Sequence, residues 1–290
     1  MTKILVCGAD GQMGQSFRAV SGNFPALSFR FASRSELDIA DSLSVDEFFR
    51  RHAFDFCINC AAYTAVDRAE QETAAAFAIN ADGAAYLAEK TFENGCALIH
   101  FSTDYVFHGG NGVPFREDDP TGPKGVYARS KLAGEKGVLA ANPRTVLIRA
   151  SWIYSEFGHN FVRTMLRLGA EKDRLSVVCD QVGTPTYGPD LAAAVLTIIS
   201  VLVSGAAEEL LPFGIYHYSN EGVASWYDFA KAVFDLSGLP CEVIPIATRD
   251  YPTPAERPPY SLLDKSKIKT TFNLEIPYWR DSLKVCLTNI

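Results

Sequence analysis

The stretch Lys3-Ile4-Leu5-Val6-Cys7-Gly8-Ala9-Asp10-Gly11-Gln12-Met13-Gly14 decides the fold. A short apolar run, suited to a buried strand, meets three glycines spaced G-x-x-G-x-x-G. Ser16-Phe17-Arg18-Ala19-Val20 then follows with helical patterning. Glycines in such a turn let a pyrophosphate approach the helix N-terminus, where amide N–H groups and the helix dipole favour negative charge. Glycine spacing alone also fits a plain turn; its place between strand and helix points to a nucleotide. Gly8, Gly11, Gln12, Met13 and Gly14 are therefore cofactor-binding candidates.

Outward from this unit, strands are expected at Lys3–Cys7, Leu27–Ala32, Phe56–Asn59, Ala97–Ser102 and Thr145–Arg149. Helices are expected to begin near Gly11, Ser42, Ala74 and Tyr127. Such alternation predicts an α/β fold, a Rossmann-type doubly wound parallel sheet, whose ligands bind at the carboxyl ends of the strands. Beyond residue 150 the pattern loosens into Pro- and Gly-rich stretches, and Gly214-Ile215-Tyr216-His217-Tyr218 again reads as a strand. The expected organisation is a dinucleotide-binding domain over 1–150 with a returning segment around 187–220. A smaller, mixed α/β substrate lobe would take most of 151–290.

The residues after each strand carry the chemistry. Ser33 and Arg34 follow the second strand, where an acidic residue would hold the ribose hydroxyl of NAD and an arginine suits the 2′-phosphate of NADP. Arg34 favours NADPH, and Asp38-Ile39 would border the adenine. Small residues in Asn59-Cys60-Ala61-Ala62-Tyr63-Thr64, after the third strand, would let a ligand lie over the backbone. The decisive pairing is Ser102-Thr103-Asp104-Tyr105-Val106-Phe107 with Tyr127-Ala128-Arg129-Ser130-Lys131. Tyr127 and Lys131 are four apart and share a helix face. A nearby ammonium is expected to lower a phenol's pKa, fitting Tyr127 for acid–base work. A Thr103 or Ser102 hydroxyl can bond a carbonyl oxygen as charge develops on it.

The 290 residues are 48% hydrophobic and 21% charged, enough for a substantial core and against disorder. The net charge of −7 gives no sign of a nucleic-acid partner. Leu191 to Ala207 is an uncharged 17-residue run near the lower bound for a membrane span. Gly188-Pro189-Asp190 before it signals a helix start with Asp190 as N-cap, and a helix buried on a sheet is expected. Seven cysteines stand at scattered positions, and Met1-Thr2-Lys3 leads into the first strand without a secretory pattern. Reduced thiols and a cytoplasmic setting follow as expectations. Cys57-Ile58-Asn59-Cys60 lacks a second ligand pair at metal spacing and reads as strand.

These stretches together resemble the extended short-chain dehydrogenases/reductases, and more narrowly the dTDP-4-dehydrorhamnose reductase group. The wider superfamily shares the glycine loop and, in part, Ala61 to Asp67 and Tyr127 to Glu135. The run Thr103 to Phe107, Arg149 to Tyr154, Asn160-Phe161, Asp180 to Thr186, Ser225 to Phe229, and Thr253 to Pro258 with Ser261 are narrower. The resemblance implies reduction of dTDP-4-dehydro-β-L-rhamnose to dTDP-β-L-rhamnose by NADPH or NADH. Tyr127 would donate the proton, Lys131 would tune it and hold the nicotinamide ribose, and Thr103 would bond the reacting carbonyl. Gly11-Gln12-Met13, Asp38-Ile39 and Ala62-Tyr63-Thr64 would line the cofactor. Asp104 and Trp152 would meet the sugar, and Arg257 the diphosphate. Some members dimerise around magnesium held by glutamates; Gln15, Ser16, Asp190, Lys284 and Val285 at the comparable places do not make a carboxylate cage, so neither that metal nor that dimer is expected here. Related readings are a reductase of another dTDP-4-keto-6-deoxysugar, or a catalytically silent NADP-binding regulatory subunit.

Overall fold

The computed structural model describes residues 1–110, 112–205 and 212–290. Five strands, β1 (Thr2–Cys7), β2 (Leu27–Ala32), β3 (Phe56–Asn59), β4 (Ala97–Thr103) and β5 (Thr145–Ala150), join the strand Gly214–Tyr218 in one sheet. The order is Gly214–Tyr218, β5, β4, β3, β1, β2, and every pair is parallel. Chain order reverses at β1, with β2 on one side and β3 on the other, which opens the ligand crevice at their carboxyl ends. Asn59 pairs with His100, so β4 runs past the end of β3 and carries Ser102 and Thr103 out to that crevice.

Strands β4 and β5 are buried at every residue, as a parallel sheet covered on both faces requires. Alternate residues divide between two cores. Ile4, Val6, Ile58 and Ile99 pack with Leu191, Val195, Leu196 and Ile199 of the helix Gly188–Ser204. Leu5, Cys57 and Leu98 pack on the other face with Leu87 and Val138. Each large aliphatic side chain so buried contributes about 1.5–3 kcal/mol. The uncharged run is thus a sheet-covering helix; its last residues, Ala206 and Ala207, lie outside the described residues. Among the described residues no helix is long and apolar enough to cross a membrane.

One local expectation needs correction, and one helix that begins where expected has an irregular course. The helix starts at Gly188, with Pro189 in its first turn, so Asp190 is inside the helix and does not cap it. Its Oδ2 instead accepts from Asn220 Nδ2 at 2.7 Å and from the Ser282 hydroxyl. The helix expected near Ala74 runs Thr73–Phe77, widens into a π-helical turn at Ala78–Gly83, and resumes as Ala84–Glu93.

After β5 the chain builds a separate cluster from Tyr154, Val162, Tyr187, Phe229, Val233, Trp279 and Leu283. Helices Phe161–Glu171, Trp226–Ser237 and Trp279–Thr288 supply it, with a parallel pair of strands Arg174–Val178 and Glu242–Ile246 beside them. Ser225 and Asp228 close a reciprocal cap on the Trp226–Ser237 helix.

Candidate active site

The glycine loop forms the first wall. Gly8 has a left-handed φ of +66°, and a Cβ there would fall 2.7 Å from the Ala61 nitrogen. A Cβ on Gly14 would fall 2.5 Å from the Gly8 oxygen. Both side-chain-free positions let the β1 loop, the β3 loop and the first helix (Gln12–Val20) converge, and the amides of that helix's first turn have no acceptor within the helix. This cradle fits a dinucleotide pyrophosphate. The Met13 side chain lies in the core beneath, which leaves only its main chain facing the cradle. Gln12 turns its Nε2 to the Ile153 carbonyl at 3.1 Å and keeps Oε1 buried without a partner.

Ser33 and Arg34 follow β2, beside the loop, where Ala9 N–H bonds the Ala32 carbonyl. The Arg34 side chain is 75% exposed and pairs with Asp38 at 3.0 Å. Asp38 also accepts from Ala40 N–H, while Ile39 is buried. Arg34 and Asp38 therefore share the rim as an ion pair, and Ile39 can border a ligand through its backbone.

Ala62, Tyr63 and Thr64 leave β3 under the control of Asn80, which the sequence did not single out. Asn80 Oδ1 accepts from Tyr63 N–H at 2.8 Å and its Nδ2 donates to the Tyr63 carbonyl at 3.0 Å. The same Nδ2 reaches Ser130 Oγ, which donates to the Tyr127 carbonyl. The π-helical turn presents Asn80, and the apolar pattern around it gives no advance sign of that turn.

Thr103, Asp104, Tyr127 and Lys131 come together at the end of β4. The helix Val126–Ala141 presents Tyr127 and Lys131 on its sheet-facing side. Lys131 is buried and donates to the Phe101 carbonyl at 2.6 Å. Burial brings its pKa down to about 8, against the pull of Glu135. The expected lowering of the Tyr127 pKa by Lys131 is not what the geometry produces. Burial pushes the phenol up to about 12, the Thr103 hydroxyl bonded to it pulls the other way, and Asp104 adds to the rise. With the ammonium committed to a carbonyl, the phenol is held as an acid. Asp104 is buried; Oδ1 accepts from Thr103 Oγ1 at 3.2 Å and Oδ2 has no partner. Burial raises its carboxyl to about 7, against the pull of the Ser261 and Thr103 hydroxyls.

Two expected sugar-side residues are engaged otherwise. Trp152, with a left-handed φ of 47°, stacks its ring on Trp226 at 3.6 Å between centroids. That face is closed to a sugar, so any wall Trp152 offers is its remaining surface. Arg257 does not stand free for a diphosphate: Nη1 and Nη2 grip Asp67 at 3.0 and 2.7 Å. Cys57 faces Cys7 at 3.6 Å in the core, and all seven thiols are free. Among the described residues no three His, Cys, Asp or Glu side chains are grouped to hold a metal. Asp190 is already engaged by Asn220 and Ser282, so this donor set does not fit a bridging magnesium.

A doubly wound sheet, a glycine cradle and a Tyr-x-x-x-Lys pair beside a strand-end threonine define the extended short-chain dehydrogenase/reductase class. Within that class the chain belongs to the family described as RmlD substrate binding domain, whose model matches residues 1–290. It is 42% identical over 286 residues to a dTDP-4-dehydrorhamnose reductase of Sinorhizobium fredii, covering 97% of this chain and 95% of that one. A reductase of the same description from Aggregatibacter actinomycetemcomitans is 40% identical, with 98% of each chain covered. A crystal structure of a Bacillus anthracis dTDP-4-dehydrorhamnose reductase in complex with NADP superposes with a TM-score of 0.92, at 33% identity over 100% of this chain and 99% of that one.

Proposed function

We propose that the chain reduces the C4 carbonyl of dTDP-4-dehydro-β-L-rhamnose to give dTDP-β-L-rhamnose, with NADPH as hydride donor and NADH as an alternative. The observation that carries this reading is the convergence of Thr103, Tyr127 and Lys131 at the carboxyl end of β4, the same edge of the parallel sheet at which β1 runs into the Gly8–Gly14 cradle. Relatives of this description along the full chain support it. The bound nicotinamide supplies a hydride to C4. Tyr127, protonated at neutral pH, passes its proton to the C4 oxygen as negative charge builds there. The Thr103 hydroxyl, turned from Asp104 Oδ1 to the same oxygen, donates its one hydrogen bond there and lowers the cost of that charge. Carbonyl, hydride and proton balance to the secondary alcohol, and solvent returns a proton to the phenolate.

Gly8, Gly11 and Gly14, with the amides of Gln12 and Met13, hold the pyrophosphate in this reading. Arg34 and Asp38 meet the adenosine ribose and its phosphate, and Ile39, Ala62, Tyr63 and Thr64 line the rest. Lys131 holds the nicotinamide ribose. Asp104, with its unpartnered Oδ2, and the open edge of Trp152 meet the sugar. Residues 1–150 and the returning segment around 187–220 form the cofactor domain, and most of 151–290 the sugar-nucleotide lobe, in keeping with the separate cluster around Phe229. The free thiols, Cys179 exposed among them, support a cytoplasmic setting. NADPH deuterated at its reactive carbon should place the label at C4 of the rhamnosyl product. Label elsewhere, or a higher kcat/KM with a different nucleotide 4-ketosugar, would overturn the assignment.

A further inference from the structure

The short helix Val66–Ala69, with Glu70 after it, makes two contacts that the reaction does not explain. Asp67 accepts both Arg257 nitrogens and the Ala255 N–H at 3.2 Å, and so ties down the loop that carries Ser261 a few residues later. Glu70 Oε1, one turn further on, accepts the Val126 N–H at 2.7 Å. Val126 is the first residue of the helix bearing Tyr127, and Gly125 before it offers no capping side chain. The cap thus arrives from 56 positions away in sequence. A Cβ on Gly125 would fall 2.9 Å from Glu70 Oε1 and 3.8 Å from the Ala255 Cβ. The Arg257 loop, the Asp67–Glu70 turn and the start of the catalytic helix therefore meet at one point. Tyr105, which feels the Arg257 charge, packs edge-on against Tyr127 at 6.1 Å and closes the circuit.

We infer that Asp67 and Glu70 are positioning residues which couple the Arg257 loop to the placement of the Tyr127 phenol. Asp67 sets the loop and Glu70 sets the helix end. Their rigid separation of one turn makes a shift of one a shift of the other. Glutamate reaches Val126 where aspartate, one methylene shorter, cannot, and glutamine keeps the accepting oxygen.

The test compares Glu70→Gln, Glu70→Asp and Asp67→Asn in the full-length chain, by turnover and by hydrogen exchange at the Val126 amide. Its kinetic arm rests on the reductase reading; the exchange arm does not. Glu70→Asp should lower kcat about tenfold with NADPH affinity held within about threefold, a split that general loss of structure does not give. Glu70→Gln should restore kcat to within about threefold of wild type. Exchange at Val126 should quicken about tenfold in Glu70→Asp and rise also in Asp67→Asn. The Asp67→Asn and Glu70→Asp effects together should fall short of the product of the two alone. Multiplicative effects, or an Asp67→Asn change confined to the loop, would overturn the coupling. Wild-type protein inactive toward the ketosugar would remove the reductase reading, and the exchange rates would still decide the coupling.

Discussion

Lys131 donates to the main-chain carbonyl of Phe101 at 2.6 Å, inside the protein and away from water. Burial holds its pKa down to about 8, so the ammonium proposed to hold the nicotinamide ribose is lost just above neutral pH. The free-enzyme kcat/KM for NADPH should fall as pH rises through about 8. Arginine stays charged across that range, so Lys131→Arg should shift this limb upward whatever its cost in rate. A limb left in place would assign it to another group.

Tyr127 carries the proton in this account. Tyr127→Phe should lower kcat by about 10²–10⁴, the usual worth of a placed general acid, while the Kd for NADPH stays within a few-fold. Fluorescence titration and steady-state rates measure the two separately. A kcat within threefold of wild type would move the proton donor elsewhere.

Asp104 gives a stability prediction with a definite sign. Its folded pKa is raised to about 7 from an ordinary carboxylate value of 3.8, so the folded protein binds the extra proton between those limits. Stability therefore falls as pH climbs through that window, and above it the fold holds a buried charge. Asp104→Asn removes the charge at constant shape. Its Tm should exceed that of wild type at pH 8, with the gap closing towards pH 4. A lower Tm at pH 8 would mean the carboxylate is stabilised in place.

Arg34 tests the choice of cofactor. Its guanidinium is exposed and paired with Asp38, free to trade that partner for a phosphate. Arg34→Ala should reduce the NADPH-to-NADH ratio of kcat/KM by about tenfold, mainly through KM for NADPH. An unchanged ratio would take Arg34 out of the site.

Much of this molecule is legible from its residues. The strands of the first half follow from short apolar runs, because a parallel sheet covered on both faces is built mainly from apolar residues, with polar ones such as Asn59, Ser102 and Thr103 gathered towards the carboxyl ends. The meeting of Thr103, Tyr127 and Lys131 is legible in spacing, since one helix face and one strand end come together at the sheet edge. What spacing does not carry is long-range polar pairing. Asn80 sits in a π-helical turn, Glu70 caps a helix 56 positions away, and Asp67 takes up Arg257 across 190. Trp152 reads as a free wall because nothing local reveals Trp226 lying on it. The direction of the phenol pKa is hidden for a similar reason: the burial that raises it comes from the packed fold and not from the Tyr-x-x-x-Lys spacing.

The central claim is ketosugar reduction at Tyr127, and its most direct measurement is NADPH oxidation by the purified protein with dTDP-4-dehydro-β-L-rhamnose. The account predicts turnover that depends on the sugar nucleotide, yields dTDP-β-L-rhamnose in equal amount to NADPH consumed, and nearly vanishes in Tyr127→Phe. Tight NADPH binding with no consumption on that substrate would contradict it.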